Sequence, residues 1–94
     1  MIYEIVIPKS VVKGIKKLPK PVVQRIPDIL REIAINPHMG VVLKGDLSAI
    51  RKWNIKEQGV QYRIAYTIHE ERIEVRIILI GTRENFYKEL KRRL

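Results

Sequence analysis

Cysteine does not occur in the 94 residues, so disulfides, thiolate catalysis and cysteine-ligated metal sites are excluded. Small secreted domains commonly depend on disulfides, so their absence points toward the cytoplasm. Histidine is nearly as scarce. His38 and His69 are the only two, both in segments that read as loops or turns, and neither belongs to a metal-ligand spacing such as HExxH. The chain contains no GxSxG, no P-loop and no GxGxxG. Metalloenzyme, serine hydrolase and nucleotide-binding folds are therefore unsupported, and neither metal nor cofactor is expected. No run approaches the length of about 20 apolar residues that spans a bilayer. The start, Met1-Ile2-Tyr3-Glu4-Ile5-Val6-Ile7-Pro8, lacks the basic opening and small-residue cleavage site of a signal peptide and reads as a strand. The expectation is a cytoplasmic protein with no membrane attachment.

Acidic residues are also in deficit: Lys+Arg number 19 against 10 Asp+Glu, a net charge of +9, with a sequence pI of about 10.1. So much charge on a short chain costs self-repulsion and implies a polyanionic partner. Nucleic acid or the ribosome fits, with an acidic protein also in view. The other reading is the solvated lysine-rich surface of a heat-adapted protein, but ion-pair networks need both signs. Hydrophobic residues make up 46% of the chain, enough to bury a core, and the length suits a single domain over residues 1–94.

Residues 2–7 alternate and are rich in β-branched side chains, which predicts a strand stopped by Pro8. Ser10 is placed to cap a helix whose apolar positions are Val11, Val12, Ile15 and Leu18, with Lys13, Lys16, Lys17 and Lys20 on the other side. Pro19 and Pro21 end it and open a second helix over about 21–35, with Pro21 in its first turn. Val22, Val23, Ile26, Ile29, Leu30, Ile33 and Ala34 form its apolar stripe. Pro27 should kink this helix or mark its true start, and Asn36-Pro37 ends it. Residues 37–48 read as a loop anchored by Val41, Val42 and Leu43. The period then changes, predicting antiparallel strands at 50–57, 61–69 and 72–80, turns at Gln58-Gly59 and His69-Glu70-Glu71, a strand end at Gly81 and a basic helix over 83–93. The expected fold is α+β. An N-terminal strand, a two-helix hairpin and a three-stranded antiparallel meander complete a four-stranded sheet, followed by a short C-terminal helix.

Strand alternation sorts the cations. Trp53 and Ile55 face the core, so Lys52, Asn54 and Lys56 line the opposite, wet face. Arg63, alternating with Tyr62 and Ile64, joins them. On the last strand Ile73, Val75, Ile77 and Leu79 alternate with Glu74, Arg76, Ile78 and Ile80. A concave basic face ringed by Lys52, Lys56, Arg63, Arg76 and Arg83 follows. The plain alternative is the polar side of a half-exposed sheet, with Arg76 simply pairing with Glu74. Phe86 and Leu90, four apart, anchor the last helix.

Gly81-Thr82-Arg83 with Tyr87, the Tyr62-Arg63 pair continuing into Ile64-Ala65-Tyr66, the Leu43-Lys44-Gly45 loop before a Trp-containing strand, and the opening Lys13-Gly14-Ile15-Lys16-Lys17-Leu18-Pro19 together resemble the RelE/ParE toxin superfamily over essentially the whole chain. The resemblance implies a toxin of a type II toxin-antitoxin system that cuts messenger RNA on the ribosome without a metal. In that chemistry the 2′-hydroxyl attacks the adjacent phosphate. By the same resemblance Arg63 would stabilise the developing phosphate charge. Arg83 would do so too or protonate the leaving oxygen. Tyr87 would position or stack a nucleotide, with proton transfer open to it, and Lys56 matches a basic strand position. Arginine suits the clamp because it stays charged and grips two oxygens. Two departures stand out. Asn54 replaces a second basic position, for which Lys52, two residues earlier on the same face, would substitute. Thr82 stands where many members carry histidine, so the base would have to be another group, such as a lysine crowded by cations. Lys44, Lys52, Asn54, Arg51, Arg76, Lys88, Lys91, Arg92 and Arg93 are expected to contact RNA or ribosome, the last four also being readable as a solvated helix end. The implied partners are the ribosome, mRNA and an acidic antitoxin that masks the basic site or displaces the C-terminal helix. A ParE-like gyrase poison and a non-catalytic RNA-binding module are the alternatives. The second of these lacks the exposed aromatic pairs of an RNA-recognition sheet.

Overall fold

The β-prone segments pair into one five-stranded sheet in the computed structural model, which describes residues 1–94. In chain order the elements are β1 (Glu4–Val6), α1 (Lys9–Lys16), α2 (Lys20–Ile35), β2 (Val41–Val42), β3 (Ile50–Glu57), β4 (Val60–His69), β5 (Glu74–Thr82) and α3 (Phe86–Arg93). The sheet order is β1-β5-β4-β3-β2. Strands β2 to β5 form an antiparallel meander, and β1 closes the other edge parallel to β5.

The fifth strand corrects the expected four. It lies inside 37–48, where a loop was expected, because two residues are too few to show alternation; pairing of Val41 with Lys52 and Val42 with Arg51 creates it. Of the three anchors expected there only Leu43 is buried, while Val41 and Val42 are exposed. The helices also differ in detail from the expectation. Lys9 opens α1 directly after Pro8, and no side chain caps it. Ser10 sits in its first turn and accepts a 3.4 Å hydrogen bond from Arg93 instead. Rather than forming a hairpin held mainly by mutual contact, α1 lies against β5, and both helices feed one core with the sheet.

Pro21 occupies the first turn of α2 as expected, but Pro27 neither starts nor ends that helix. The hydrogen bond it forfeits costs about 3 kcal/mol. Burial of Val22, Ile26, Ile29 and Ile33, at about 1.5–3 kcal/mol per large side chain, outweighs that. No helix is long and apolar enough to cross a membrane.

The β3–β4 turn has positive φ at both Gln58 (51°) and Gly59 (80°), the backbone that a two-residue hairpin loop requires and that glycine adopts without strain. This sets the register that places Asn54 opposite Arg63 and Lys56 opposite Gln61. Ile73, also at φ 51°, belongs to the following turn, so β5 begins at Glu74 rather than 72 and runs through Thr82.

One sheet face carries Ile55, Tyr62, Ile64, Tyr66, Val75, Ile77 and Ile80 and is closed by α1 and α2. The other face carries a second core of Leu43, Ile50, Ala65, Leu79, Phe86 and Leu90 under α3. A bulge explains how one strand serves both. The register slips between Ala65–Leu79 and Tyr66–Ile77, so Ile78 is extra, and Leu79 turns to the α3 side rather than sharing a face with Val75 and Ile77 as strict alternation predicted.

Candidate nucleic-acid interface

Phe86 and Leu90 are buried one turn apart on α3 and seat that helix on the sheet. Tyr87, next to Phe86, is then forced outward and is 43% exposed. Its ring meets that of Phe86 edge-on, centroids 5.4 Å apart. The half-buried Arg63 reaches under both from β4, its guanidinium carbon 5.7 Å from each ring centroid. That contact holds a cation over two aromatic rings, worth about 0.5–2 kcal/mol each. Arg63 Nε is buried with no hydrogen-bond partner. A buried donor left unpaired costs about 1–3 kcal/mol, and such exceptions tend to persist where a ligand can satisfy them.

Two hollows open on the same side of the sheet. In one, of about 480 Å³, Lys56 and Arg83 face each other across Gln61 and Thr82, with Glu84 on the border. Arg83 donates a long 3.4 Å hydrogen bond to Gln61 Oε1. In the other, of about 570 Å³, Lys44, Lys52 and Lys91 border Tyr87 over Leu43 and Leu47. Within it, Lys52 Nζ donates to the Tyr87 hydroxyl at 3.3 Å. Asn54 is exposed directly opposite Arg63, and Gly81 flanks Arg63 on β5 with open space where a Cβ would stand.

The ion pairs separate the cations into two groups. Arg25, Arg31, Arg72, Arg76 and Arg92 each pair with a carboxylate. Lys44, Lys52, Lys56, Arg63, Arg83, Lys88 and Lys91 pair with none, and neither do Arg51, Arg93 and the lysines on and beside α1 (Lys9, Lys13, Lys16, Lys17 and Lys20). The structure therefore brings together Lys44, Lys52, Asn54, Lys56, Arg63, Arg83, Tyr87 and Lys91 on one face, with Lys88 exposed nearby on α3.

Four expected contacts do not join them. Arg51 points to the opposite face, because an odd position of β3 cannot share the face of Lys52. It donates to the carbonyls of His38 (3.0 Å) and Gly40 (2.9 Å), holding the chain before β2. A side chain at Gly40 would overlap the Tyr66 hydroxyl, which donates 2.6 Å to Pro37 O in the same clasp; burial pushes the Tyr66 phenol up from its ordinary value. Arg76 lies far along β5, opposite Thr67 and 3.1 Å from Glu74. It therefore does not complete the expected ring. Arg92 pairs with Glu89 at 3.0 Å, and Arg93 turns toward α1 and the Arg76 region.

Reasoning from the sequence missed Gln61 and Glu84. Gln61 was findable, since alternation puts it on the face of Arg63; Glu84 gave no signal. His38 and Tyr3 are remote from this face and both bond Glu70, at 2.7 and 2.8 Å. These partners hold the Glu70 carboxyl below its ordinary value, the Tyr3 bond foremost.

Unpaired cations thus gather around one exposed tyrosine on the face carrying α3, giving it a positive charge complementary to a polyanion. The family profile described as ParE-like toxin of type II bacterial toxin-antitoxin system matches residues 5–91. The chain belongs to that family, within the RelE/ParE toxin superfamily its motifs resemble. A comparison with curated proteins finds no significant match. Among solved structures, the fold is similar to a mutant Escherichia coli toxin RelE in the free state, with 22% identity, 100% of this chain and 99% of that chain covered, and a TM-score of 0.79. It is also similar to the isolated E. coli RelE toxin, with 25% identity, 98% and 99% covered, and a TM-score of 0.68. An archaeal RelE–RelB complex from Pyrococcus horikoshii matches at 21% identity, with 89% and 98% covered and a TM-score of 0.67.

Proposed function

We propose that this toxin is a cytoplasmic, metal-independent endoribonuclease, a single-domain protein that cleaves mRNA on the ribosome by attack of a 2′-hydroxyl on the adjacent phosphate. The observation that carries the reading is Arg63: a guanidinium on the open face, held over Phe86 and Tyr87, unpaired at Nε and in no ion pair. Such a group meets a phosphate with little loss of existing bonds and stabilises charge developing on it. Arg83, at the rim with Lys56, acts on the same phosphate or its leaving oxygen. Tyr87 positions a nucleotide. Histidine is absent from this face, since position 82 is Thr and His38 and His69 lie elsewhere, so imidazole is not the base. The remaining free cations bind RNA backbone, with strong salt dependence expected. An acidic antitoxin covers the same face, in keeping with solved neighbours that are RelE–RelB complexes.

The test is to express the toxin in a translating extract and map mRNA ends, with Arg83→Ala and Tyr87→Phe alongside. Cuts that vanish with Arg83→Ala support the reading. The family profile carries the ParE name, which favours a second reading, a gyrase-inhibiting toxin without nuclease chemistry. Intact transcripts together with DNA breaks at gyrase sites would select it.

A further inference from the structure

The hollow beside Tyr87 contains one residue that does not suit a phosphate. Three of its border residues are lysines, Lys44, Lys52 and Lys91; the fourth charged residue is Asp46. The Gly45–Leu47 turn carries Asp46 there, made possible by Gly45 at φ 67°. Asp46 takes part in none of the ion pairs, although lysines border the same hollow. Below it the floor is apolar, formed by the buried Leu43 and half-buried Leu47, and the exposed Tyr87 ring borders it. An apolar floor, a bordering aromatic ring, cations at the border and one free carboxylate match the parts of a nucleotide: base face, phosphates and a base edge rich in N–H donors. The volume of about 570 Å³ is within the range of small-ligand sites, about 300–1,000 Å³.

We infer that this hollow seats one base of single-stranded RNA next to the Arg63 phosphate and that Asp46 selects guanine there. This deepens the nuclease reading and rests on it. A carboxylate only accepts hydrogen bonds. Guanine offers two adjacent donors, N1–H and the N2 amine, which fit its two oxygens. Uracil offers N3–H between two carbonyl oxygens that repel a carboxylate, and is the poorest fit. Lys44 and Lys91 grip backbone without regard to base.

The experiment measures binding of uncuttable 2′-deoxy trinucleotides, differing only in one guanine or uracil, to the purified toxin by fluorescence anisotropy at low salt. Cut sites are mapped in parallel in a translating extract. The parent should favour guanine by about tenfold, within the range one well-paired base edge discriminates. Asp46→Asn and Asp46→Ala should erase that preference. Lys44→Gln and Lys91→Gln should weaken both oligomers equally and keep the preference. An unchanged guanine preference in both Asp46 variants overturns the assignment while leaving the nuclease intact. Equal binding of guanine and uracil by the parent, or no binding of either, also overturns it. Guanine-selective binding that depends on Asp46, without any mRNA cutting, supports the hollow and instead defeats the nuclease reading.

Discussion

The two faces of the sheet are built from the same strands yet solve opposite problems. Toward α1 and α2, Ile55, Tyr62, Ile64, Tyr66, Val75 and Ile77 interlock with Val22, Ile26, Ile29 and Ile33, and no charged side chain is buried. Toward α3 the apolar core is a smaller patch of Leu43, Ile50, Ala65, Leu79, Phe86 and Leu90; beyond it the same strands present Lys52, Asn54, Lys56 and Arg63. The first face is optimised for stability. The second keeps repelling cations unpaired and one guanidinium nitrogen unsatisfied, an arrangement that stability alone does not explain and that is expected where a site must bind something.

Breaking the first face has the largest expected effect. Ile64→Ala, at a fully buried position, should cost about 2–5 kcal/mol, read from urea unfolding. Arg63→Leu should separate the two faces most sharply. Cutting should fall at least about 100-fold, the scale of losing one transition-state charge partner, while the unfolding midpoint stays close to the parent's, because removal of an unpaired buried donor offsets the loss of the two cation–aromatic contacts. A midpoint falling by as much as that of Ile64→Ala would make Arg63 a structural residue.

Arg51 gives the next contrast, one strand position from Lys52 but on the other face. Arg51→Ala should lose about 1–3 kcal/mol of stability, the scale of charged hydrogen bonds, and leave the salt dependence of RNA binding unchanged. Lys52→Gln should do the reverse, reducing the slope of log affinity against log salt by about one. The smallest effect concerns pH. Glu70 is held below its ordinary 4.5 by Tyr3 and His38, so its folded state binds the proton less readily than the unfolded chain. The stability it confers is present above about pH 4.5 and lost as pH falls below that value. Glu70→Gln should flatten this acid limb below about pH 4.5; an identical limb in the variant would show that other carboxylates cause it.

Much of the site was legible because it depends on short-range periodicity. Position parity along β3 and β4 puts Lys52, Asn54, Lys56 and Arg63 together, and the Phe86–Leu90 spacing orients Tyr87 outward. Legibility failed where partners are distant or elements very short. Arg76 shares an alternating pattern with the site, but only register shows that it stands opposite Thr67, several residues from Arg63 along β4. The bulge at Ile78 reverses Leu79 with no local signal, since Ile77-Ile78-Leu79-Ile80 is apolar throughout. Val41–Val42 becomes a strand only because Arg51 and Lys52 lie beside it.

By itself the sequence determined the excess of positive charge, the helix and strand periods, the Gln58-Gly59 turn and the sorting of cations by face. These follow from side-chain chemistry and backbone preferences acting within a few residues. Tertiary structure alone decided where the unpaired cations gather. It brought Glu57 beside Arg25, set Arg51 to clasp a loop, and left Arg63, Arg83, Lys52 and Lys56 without acidic partners around Tyr87, whereas the pairs of Arg72, Arg76 and Arg92 join residues only two or three apart in sequence. The physical reason is that gathering these cations away from carboxylates is a matter of a few ångströms between residues distant in sequence, a separation that only the folded register and the seating of α3 define.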